Sequence, residues 1–247
     1  MYSLRDLCAF SESASGCLIN ILNGREMGKT IAIDGPSASG KSSVSKGVAA
    51  ELGFIYVDSG ALYRGVTWQA IRKGVDTKDT DAVVESMHHA EWDFFVQDGA
   101  AIFSVDDDVP VQELREKDVR EAVADVAAIP EVRTFVVESL QSLENFGSLV
   151  MEGRDIGTVV FPDSPYKFYL DADPEERAMR RYRELVTAGE DEKAHEVMES
   201  LKKRDQIDST RKTDPLVVAP GAKVIDSTSM TLEEVVQAVV NTVRGES

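Results

Sequence analysis

The sequence predicts an α/β fold built on a doubly wound parallel sheet, and three observations support this prediction. Short, apolar, β-branched segments alternate with amphipathic helical segments over most of the 247 residues. A glycine-rich loop lies between the first predicted strand and the first predicted helix, where open α/β sheets bind ligands. Two short aromatic strands joined by a tight turn interrupt the alternation, which indicates an inserted subdomain.

The first predicted elements follow from hydrophobic spacing and from residues that begin or end helices. Val44, Val48 and Leu52 recur at helical spacing and predict one helix. Ser59 is a candidate N-cap for the next helix, and Gly74 lies at the C′ position where that helix should end. From residue 30 to residue 90 we therefore predict strand Thr30–Asp34, helix Ser42–Leu52, strand Phe54–Val57, helix Ser59–Lys73 and helix Asp79–Ala90.

The remaining elements begin with the aromatic hairpin. Asp98-Gly99 favours a tight turn between its strands, and Pro110-Val111 is a candidate third strand. Proline at the first helical position followed by acidic residues predicts a helix opened by Pro174, and Thr231 caps the last helix. The other predicted elements are strands Trp92–Val96 and Ala101–Val105, helices Asp118–Ala128 and Glu131–Asn145, strands Ser148–Glu152 and Lys167–Leu170, helix Glu192–Gln206 and strand Lys223–Asp226.

The loop after the first strand carries the most specific motif. Residues 35–42 match G-x-x-x-x-G-K-[ST], the phosphate-binding P-loop. Its glycines let several backbone N–H groups converge on an anion, Lys41 adds a positive charge, and the Ser42 hydroxyl is a candidate Mg²⁺ ligand. The motif indicates a nucleoside triphosphate without specifying a switch, a motor or a kinase. The predicted triphosphate contacts are Gly35, Pro36, Ser37, Ala38, Ser39, Gly40, Lys41, Ser42 and Ser43.

Composition excludes several classes of protein. The formal net charge of −17 disfavours binding to nucleic acid polymers. The sequence contains no apolar run of about 18 residues, so we expect no membrane partner. Both cysteines, Cys8 and Cys17, lie near the N-terminus, which argues against a disulfide-stapled secreted fold and favours a cytoplasmic protein.

The residues before the first strand are predicted to be an extension. They lack a basic start followed by a clean apolar core, so they make a poor signal peptide. Because Met27 directly precedes the first strand region, we hypothesise that Met27 is the functional start or that residues 1–26 are dispensable. We therefore divide the chain into an extension, residues 1–28, and one domain, residues 29–247.

Polar side chains follow the ends of two predicted strands. Ser59 and Arg64 lie near a helix start, where a second anion can bind, and the structural alternative is that Ser59 caps that helix. Arg154 can bind a phosphate oxygen and Asp155 can accept from the amino group of a base, whereas an ion pair at Arg154 would be purely structural.

Arginines cluster on one later helix. Arg177, Arg180 and Arg181 share much of one face with Glu184, and such a face is either solvated or binds an anion. In so acidic a chain we favour the anion. The stretch Arg204–Arg211 alternates in charge near a predicted helix end, and local ion pairs are the structural alternative to a binding role there. A phosphate cradle plus several guanidinium groups is the equipment of phosphoryl transfer, which depends on positioning and charge neutralisation.

These segments carry a specific resemblance. From about Lys29 to its end, the chain resembles the bacterial cytidylate kinases, the (d)CMP kinases of the nucleoside monophosphate kinase group. The resemblance implies a P-loop kinase core with a monophosphate-binding insertion at about residues 59–128, containing the small antiparallel sheet, and a short helical lid at about residues 177–192. The segments that carry it are Ile33–Ser42, Asp58–Arg64, Gly153–Pro162, Glu176–Ala178 with Arg180–Tyr182, Arg204-Asp205 and Ile225–Thr228.

The resemblance also implies an activity and a role for each matched residue. A γ-phosphoryl group passes from ATP, with Mg²⁺, to CMP or dCMP in a monomeric enzyme, and Lys41, Arg154, Arg180 and Arg181 take part in catalysis. By the resemblance, Ser59, Arg64 and Arg154 bind the acceptor's α-phosphate, and Arg115, Asp155 and Arg211 contact the cytosine. Arg204 and Asp208 contact the ribose, and Tyr63 flanks the nucleotide. Arg180 and Arg181 contact the ATP phosphates.

One segment departs from the family pattern, and other functions stay open. The family usually has a hydroxyl just before the Glu113-Leu114-Arg115 element, whereas this chain has Val-Pro-Val-Gln at 109–112, so Gln112 is the candidate replacement. The alternatives are a P-loop kinase for another small acceptor (UMP, AMP, a nucleoside or shikimate) and a GTP-binding switch. Ser59, Arg64 and Arg154 disfavour shikimate and nucleosides, and the lack of an Asn-Lys-x-Asp motif disfavours the switch.

Overall fold

The computed structural model describes residues 28–187, residue 189 and residues 193–245. Most of the predicted N-terminal extension and part of the predicted lid lie outside these residues, and no described helix is long and apolar enough to cross a membrane. In chain order the elements are β1 (Thr30–Asp34), α1 (Lys41–Leu52), β2 (Ile55–Asp58), α2 (Ser59–Arg72), α3 (Thr80–His89), β3 (Trp92–Gln97), β4 (Ala100–Val105), α4 (Lys117–Val126), α5 (Pro130–Ser142), β5 (Leu149–Gly153), β6 (Tyr166–Asp171), α6 (Pro174–Thr187), α7 (Ala194–Thr210), β7 (Lys223–Asp226) and α8 (Leu232–Arg244).

The chain divides into two compact units. We call residues 30–52 together with the described residues from Val150 onward the P-loop unit, and residues 53–149, with residues 28 and 29, the insertion unit. The insertion unit thus interrupts the P-loop unit in sequence, between α1 and the main part of β5.

The P-loop unit contains the predicted parallel sheet. Its strand order is β5–β1–β6–β7, and the pairs β1–β6 and β6–β7 are parallel. Every residue of β1 and β5 is buried, as expected for strands covered on both faces. Gly47 lets α1 approach α8 closely, because a Cβ at this position would lie 2.7 Å from the Val236 side chain. The sheet prediction is confirmed.

The insertion unit contains the predicted hairpin. Strands β3 and β4 pair antiparallel from Trp92↔Val105 to Gln97↔Ala100, and β4 also pairs parallel with β2. The turn has φ 50° at Asp98 and 75° at Gly99, the positive pair that a type I′ turn requires. The Asp-Gly signal therefore placed this turn correctly.

The structure corrects three local predictions. Asp58, not Ser59, caps α2: its Oδ1 accepts from the Ala61 N–H at 3.1 Å, and Ser59 is the first helical residue. Pro110-Val111 is not a strand; the chain makes only an isolated bridge between Val105 and Asp108 and then a 3₁₀ turn, Glu113–Arg115. The helix predicted to end at Asn145 is α5 followed by a 3₁₀ turn, Leu143–Phe146.

Candidate active site

The P-loop connects β1 to α1 through residues 35–40. Gly35 has φ 151°, and a Cβ on it would lie 2.0 Å from the carbonyl oxygen of Leu170, so only glycine fits. Gly40 and Ala38 also have positive φ, at 91° and 59°. Ala38 is therefore in a conformation that its Cβ disfavours. The loop adopts the tight curvature that the motif predicts.

Lys41 is buried beneath this loop. Only 4% of its surface is exposed, and its Nζ donates to the Pro36 carbonyl oxygen at 2.6 Å and to the Ser39 Oγ at 3.3 Å. Burial, reinforced by the positive charge of Arg154, holds the pKa of Lys41 well below its usual value, although Glu152 and Asp34 oppose the shift. An anion bound in the loop would counter both of these effects.

Ser42 meets an acidic residue that the sequence analysis did not single out. Its Oγ donates to Oε2 of Glu152 at 2.9 Å, and Glu152 is buried near the end of β5. A hydroxyl and a carboxylate are hard oxygen donors of the kind that Mg²⁺ uses together with phosphate oxygens and water. The residues present therefore fit the predicted ion. An acidic residue at the end of an apolar strand was the available sequence signal.

Asp34 is a second residue that sequence reasoning missed. Its carboxylate oxygens accept the N–H groups of Ile156 and Gly157 at 2.9 and 2.8 Å, and only 2% of the residue is exposed. Burial raises the pKa of Asp34 to about 6, against the lowering effect of the two hydrogen bonds. Asp34 thus joins the end of β1 to the segment that directly follows Arg154 and Asp155.

The predicted acceptor residues after β5 form two ion pairs with α7 and its C-cap. Nε of Arg154 donates to Oδ2 of Asp208 at 2.8 Å, and Nη2 of Arg211 donates to Oδ2 of Asp155 at 3.4 Å. Burial disfavours a charged Arg154, but the charge and hydrogen bond of Asp208, together with Glu152, outweigh burial and raise its pKa. The structure therefore brings Arg154, Asp155, Asp208 and Arg211 together.

Three of the arginines of α6, Arg177, Arg180 and Arg181, were predicted to share one face, but they do not act together. Arg177 is buried and its guanidinium bonds to Ala172, Ser37 and Asp205, so its predicted place in an anion-binding face is wrong. Nη1 and Nη2 of Arg180 donate to the Oγ and the carbonyl oxygen of Ser227 at 3.1 and 2.7 Å. Arg181 pairs with Glu184 at 3.1 Å on a more exposed part of the helix. Sequence alone could not separate three identical side chains.

Arg204 lies on α7 with Asp208, and the insertion unit carries a further group of predicted residues. Ser59 is buried in the first turn of α2, and Arg64 donates to Oδ2 of Asp58 at 2.7 Å. Nε of Arg64 is buried and has no hydrogen-bond partner among the residues that the structure describes. Arg115 is exposed on the 3₁₀ turn, which packs against α2. The departure at 109–112 leaves Gln112 exposed just before that turn.

Sequence reasoning also missed a buried cation in this unit. Arg133 of α5 is only 2% exposed, and its Cζ lies 5.5 Å from the centre of the Tyr63 ring, a cation–π geometry. An arginine in the middle of an apolar helix face was the available signal.

Comparison with known proteins agrees with these motifs. Residues 31–245 match the family model described as cytidylate kinase. Among curated relatives, the cytidylate kinase of Caldanaerobacter subterraneus subsp. tengcongensis is 44% identical over 214 residues, which cover 87% of this chain and 94% of the relative. The cytidylate kinase of Clostridioides difficile is 42% identical over 85% of this chain and 96% of its own, and that of Mycobacterium leprae is 42% identical over 88% and 96%. The chain therefore belongs to the cytidylate kinase family.

Proposed function

We propose that this chain transfers the γ-phosphoryl group of ATP to CMP or dCMP and yields ADP and CDP or dCDP, in pyrimidine nucleotide metabolism. Family membership supports this reaction. The structural observation that carries the proposal is the link made by Asp34. The two hydrogen bonds to Asp34 hold the P-loop, the proposed triphosphate site, beside the segment that contains Arg154 and Asp155, and both belong to the P-loop unit.

The donor half consists of the P-loop and Lys41. Backbone N–H groups of the loop and of the start of α1 bind the phosphates of ATP, and Ser43 extends this set by one residue. Lys41 neutralises charge on the phosphoryl group during transfer, because the transition state spreads charge over the equatorial oxygens. Its buried position keeps water from screening that charge.

Mg²⁺ is proposed to bind near Ser42 and Glu152. These residues supply one hydroxyl and one carboxylate oxygen. Bound there, Mg²⁺ would neutralise negative charge on the phosphates. Glu152 also keeps the Ser42 hydroxyl oriented through the hydrogen bond between them.

The acceptor's phosphate is proposed to bind side chains rather than a backbone cradle. These are Ser59, Arg64 and Arg154. Each guanidinium is paired with a carboxylate, Asp58 or Asp208. Such pairing orders the arginines before the substrate binds, so that each guanidinium loses little freedom on binding.

The nucleoside is proposed to contact the remaining residues. Asp155 accepts from the cytosine N4 amino group, and Arg211 and Arg115 donate to the O2 and N3 acceptors. A base with another donor and acceptor pattern would leave these groups unpaired. Asp208, with Arg204, contacts the ribose, and Tyr63 flanks the nucleotide.

The helical lid, at about residues 177–192, is proposed to close over the ATP phosphates. Arg180 and Arg181 belong to it, and closure would exclude water that otherwise hydrolyses ATP. We also propose that the enzyme is a cytoplasmic monomer whose partners are small nucleotides, and that residues 1–26 are dispensable for activity.

A coupled ADP-release assay tests the reaction directly. Saturating ATP and Mg²⁺ are supplied with CMP, dCMP, UMP, AMP or shikimate in turn. CMP and dCMP should give the highest kcat/KM. Turnover with UMP, AMP or shikimate and none with CMP or dCMP would overturn the proposal.

A further inference from the structure

We propose that Arg177 and Asp205 form a clamp that holds the P-loop in its phosphate-binding shape, so that both are positioning residues of the donor site. This inference rests on the proposed function and adds two residues to it. The clamp is the set of contacts that these two side chains make with the backbone of Ser37.

Both backbone groups of Ser37 are engaged by this pair. Its N–H donates to Oδ1 of Asp205 at 3.4 Å, and its carbonyl oxygen accepts from Nη1 of Arg177 at 3.1 Å. The same Nη1 donates to Oδ2 of Asp205 at 2.6 Å. The three groups therefore close a ring of hydrogen bonds around one loop residue, and each of the three bonds has a charged donor, a charged acceptor or both.

The clamp is anchored outside the loop. Nε of Arg177 donates to the Ala172 carbonyl oxygen at 3.0 Å, between β6 and α6, and Asp205 belongs to α7. Only 8% of the Arg177 side chain and 25% of the Asp205 side chain are exposed, so water competes weakly for these bonds. The position of Ser37 is thereby fixed relative to two helices.

A separate, apolar contact holds the next loop residue. Ala38 packs against a buried cluster formed by α6 and α7: Ala178, Leu185, Val197 and Leu201. Its φ of 59° is unfavourable for a residue with a Cβ, so the surroundings must impose it. The hydrogen bonds at Ser37 and the packing at Ala38 thus both hold adjacent residues of the P-loop in the observed conformation.

We expect the clamp to affect binding of the donor nucleotide more than binding of the acceptor nucleotide. A loop that is already ordered loses less conformational entropy when phosphates bind, and its N–H groups are aimed before the ligand arrives. The clamp contacts the backbone of the P-loop directly. By contrast, α7 keeps Arg204 and Asp208 in place through its own backbone hydrogen bonds and its packing on α6.

The test is calorimetric binding of ADP to the full chain, without acceptor and without chemistry. Asp205→Ala should weaken ADP binding about tenfold, as loss of a charge-assisted hydrogen bond would. Asp205→Asn should weaken it less, because an amide oxygen still accepts from the Ser37 N–H. Glu199→Ala, an exposed acid on the same helix, is the control and should stay within about twofold of the wild type.

Binding of CMP and thermal unfolding of each variant complete the test. For Asp205→Ala, CMP affinity should change by less than about threefold. Unchanged ADP affinity, or equal losses for ADP and CMP, would overturn the clamp. If Asp205→Ala does not fold, Asp205→Asn and Arg177→Lys replace it. Lysine has one donor nitrogen, whereas Arg177 uses Nε for Ala172 and Nη1 for Ser37 and Asp205. Normal ADP binding by the Arg177→Lys variant would therefore contradict the inference.

The two proposals fail in different ways. If CMP is not the acceptor, wild-type protein shows no CMP turnover, yet the ADP affinities still rank as predicted. If the clamp is wrong, CMP is phosphorylated normally while the ADP affinities of the Asp205 variants match that of the wild type.

Discussion

The ends of strands β1 and β2 have similar sequences, but their terminal aspartates make different contacts. Strands β1 and β2 both end in an aspartate, Asp34 and Asp58, and both lead into a helix. Six residues, 35–40, separate Asp34 from α1, whereas α2 begins immediately after Asp58. Asp34 is buried and bonds to the backbone of residues 156 and 157, while Asp58 caps its own helix and pairs with Arg64.

The difference shows two ways to prepare an anion site. After β1, the P-loop leaves backbone N–H groups available, and the aspartate is used to join two segments. After β2, the aspartate occupies an N–H group at the helix start, so attraction for an anion depends on the side chains of Ser59 and Arg64. We therefore expect the first site to depend on loop shape and Lys41, and the second on individual side chains.

The largest expected effect tests the first strand end. Lys41→Ala should lower kcat at least about 100-fold, because a buried charge contact in the transition state is lost. The measurement is steady-state turnover at saturating ATP and CMP. Lys46→Ala, an exposed lysine on the same helix, is the control and should keep near-normal turnover. Near-normal turnover in Lys41→Ala would remove Lys41 from catalysis.

The next effect concerns the buried aspartate of the same strand end. Burial raises the pKa of Asp34 to about 6 from its ordinary 3.8, so the folded chain holds this proton more tightly than the unfolded chain. The resulting stabilisation is fully present below pH 3.8 and is lost as the pH rises through 6. Between about pH 4 and pH 7, the free energy of unfolding of the wild type should fall by about 2 kcal/mol more than that of Asp34→Asn.

Denaturant unfolding at several pH values measures this difference. Only the slope with pH is compared, because an asparagine also loses one of the two acceptors for Ile156 and Gly157. Parallel curves for the two proteins would show that Asp34 does not titrate in this range. Such a result would also weaken the contrast with Asp58, which lies at a more exposed strand end.

A smaller effect tests the second strand end. Arg64→Ala should raise the KM for CMP about tenfold and leave the KM for ATP unchanged, as loss of one charged hydrogen-bond donor would. The control is Arg72→Ala on the same helix, whose side chain pairs with Asp108 and lies over Trp68. If Arg64→Ala raised both KM values equally, Arg64 would not be specific to the acceptor.

The sequence predicted local structure best where local chemistry determines it. The boundaries of β1 were correct and α1 began one residue earlier than predicted, because a β-branched strand, a glycine-rich loop and a spaced helix leave few alternatives. The turn at Asp98-Gly99 was correct for the same reason. The cap of α2 was assigned to the wrong candidate, Ser59 in place of Asp58, because the two residues are adjacent and both are good caps.

Tertiary contacts could not be predicted in this way. Ser42 and Glu152 are 110 residues apart, and Asp34 and Ile156 are 122 apart. Arg177 is of the same type as Arg180 and Arg181, and only the position of the Ser37 and Ala172 carbonyl oxygens distinguishes it. The residues that the resemblance assigns to ligand binding could therefore be named from the sequence, whereas the residues that hold these side chains in place could not.

The smallest expected effect concerns base selection by Asp155, which follows β5 and directly precedes the residues that Asp34 of β1 holds. Asp155→Ala should lower the ratio of kcat/KM for CMP to that for UMP about fivefold, because only cytosine offers an amino group to this carboxylate. Arg211, its partner at 3.4 Å, remains to bind either base. Asp163→Ala, an exposed acid in the same segment, should leave the ratio unchanged. An unchanged ratio in Asp155→Ala would mean that side chains elsewhere select the base. The segment after β5 would then contribute only the phosphate contact proposed for Arg154.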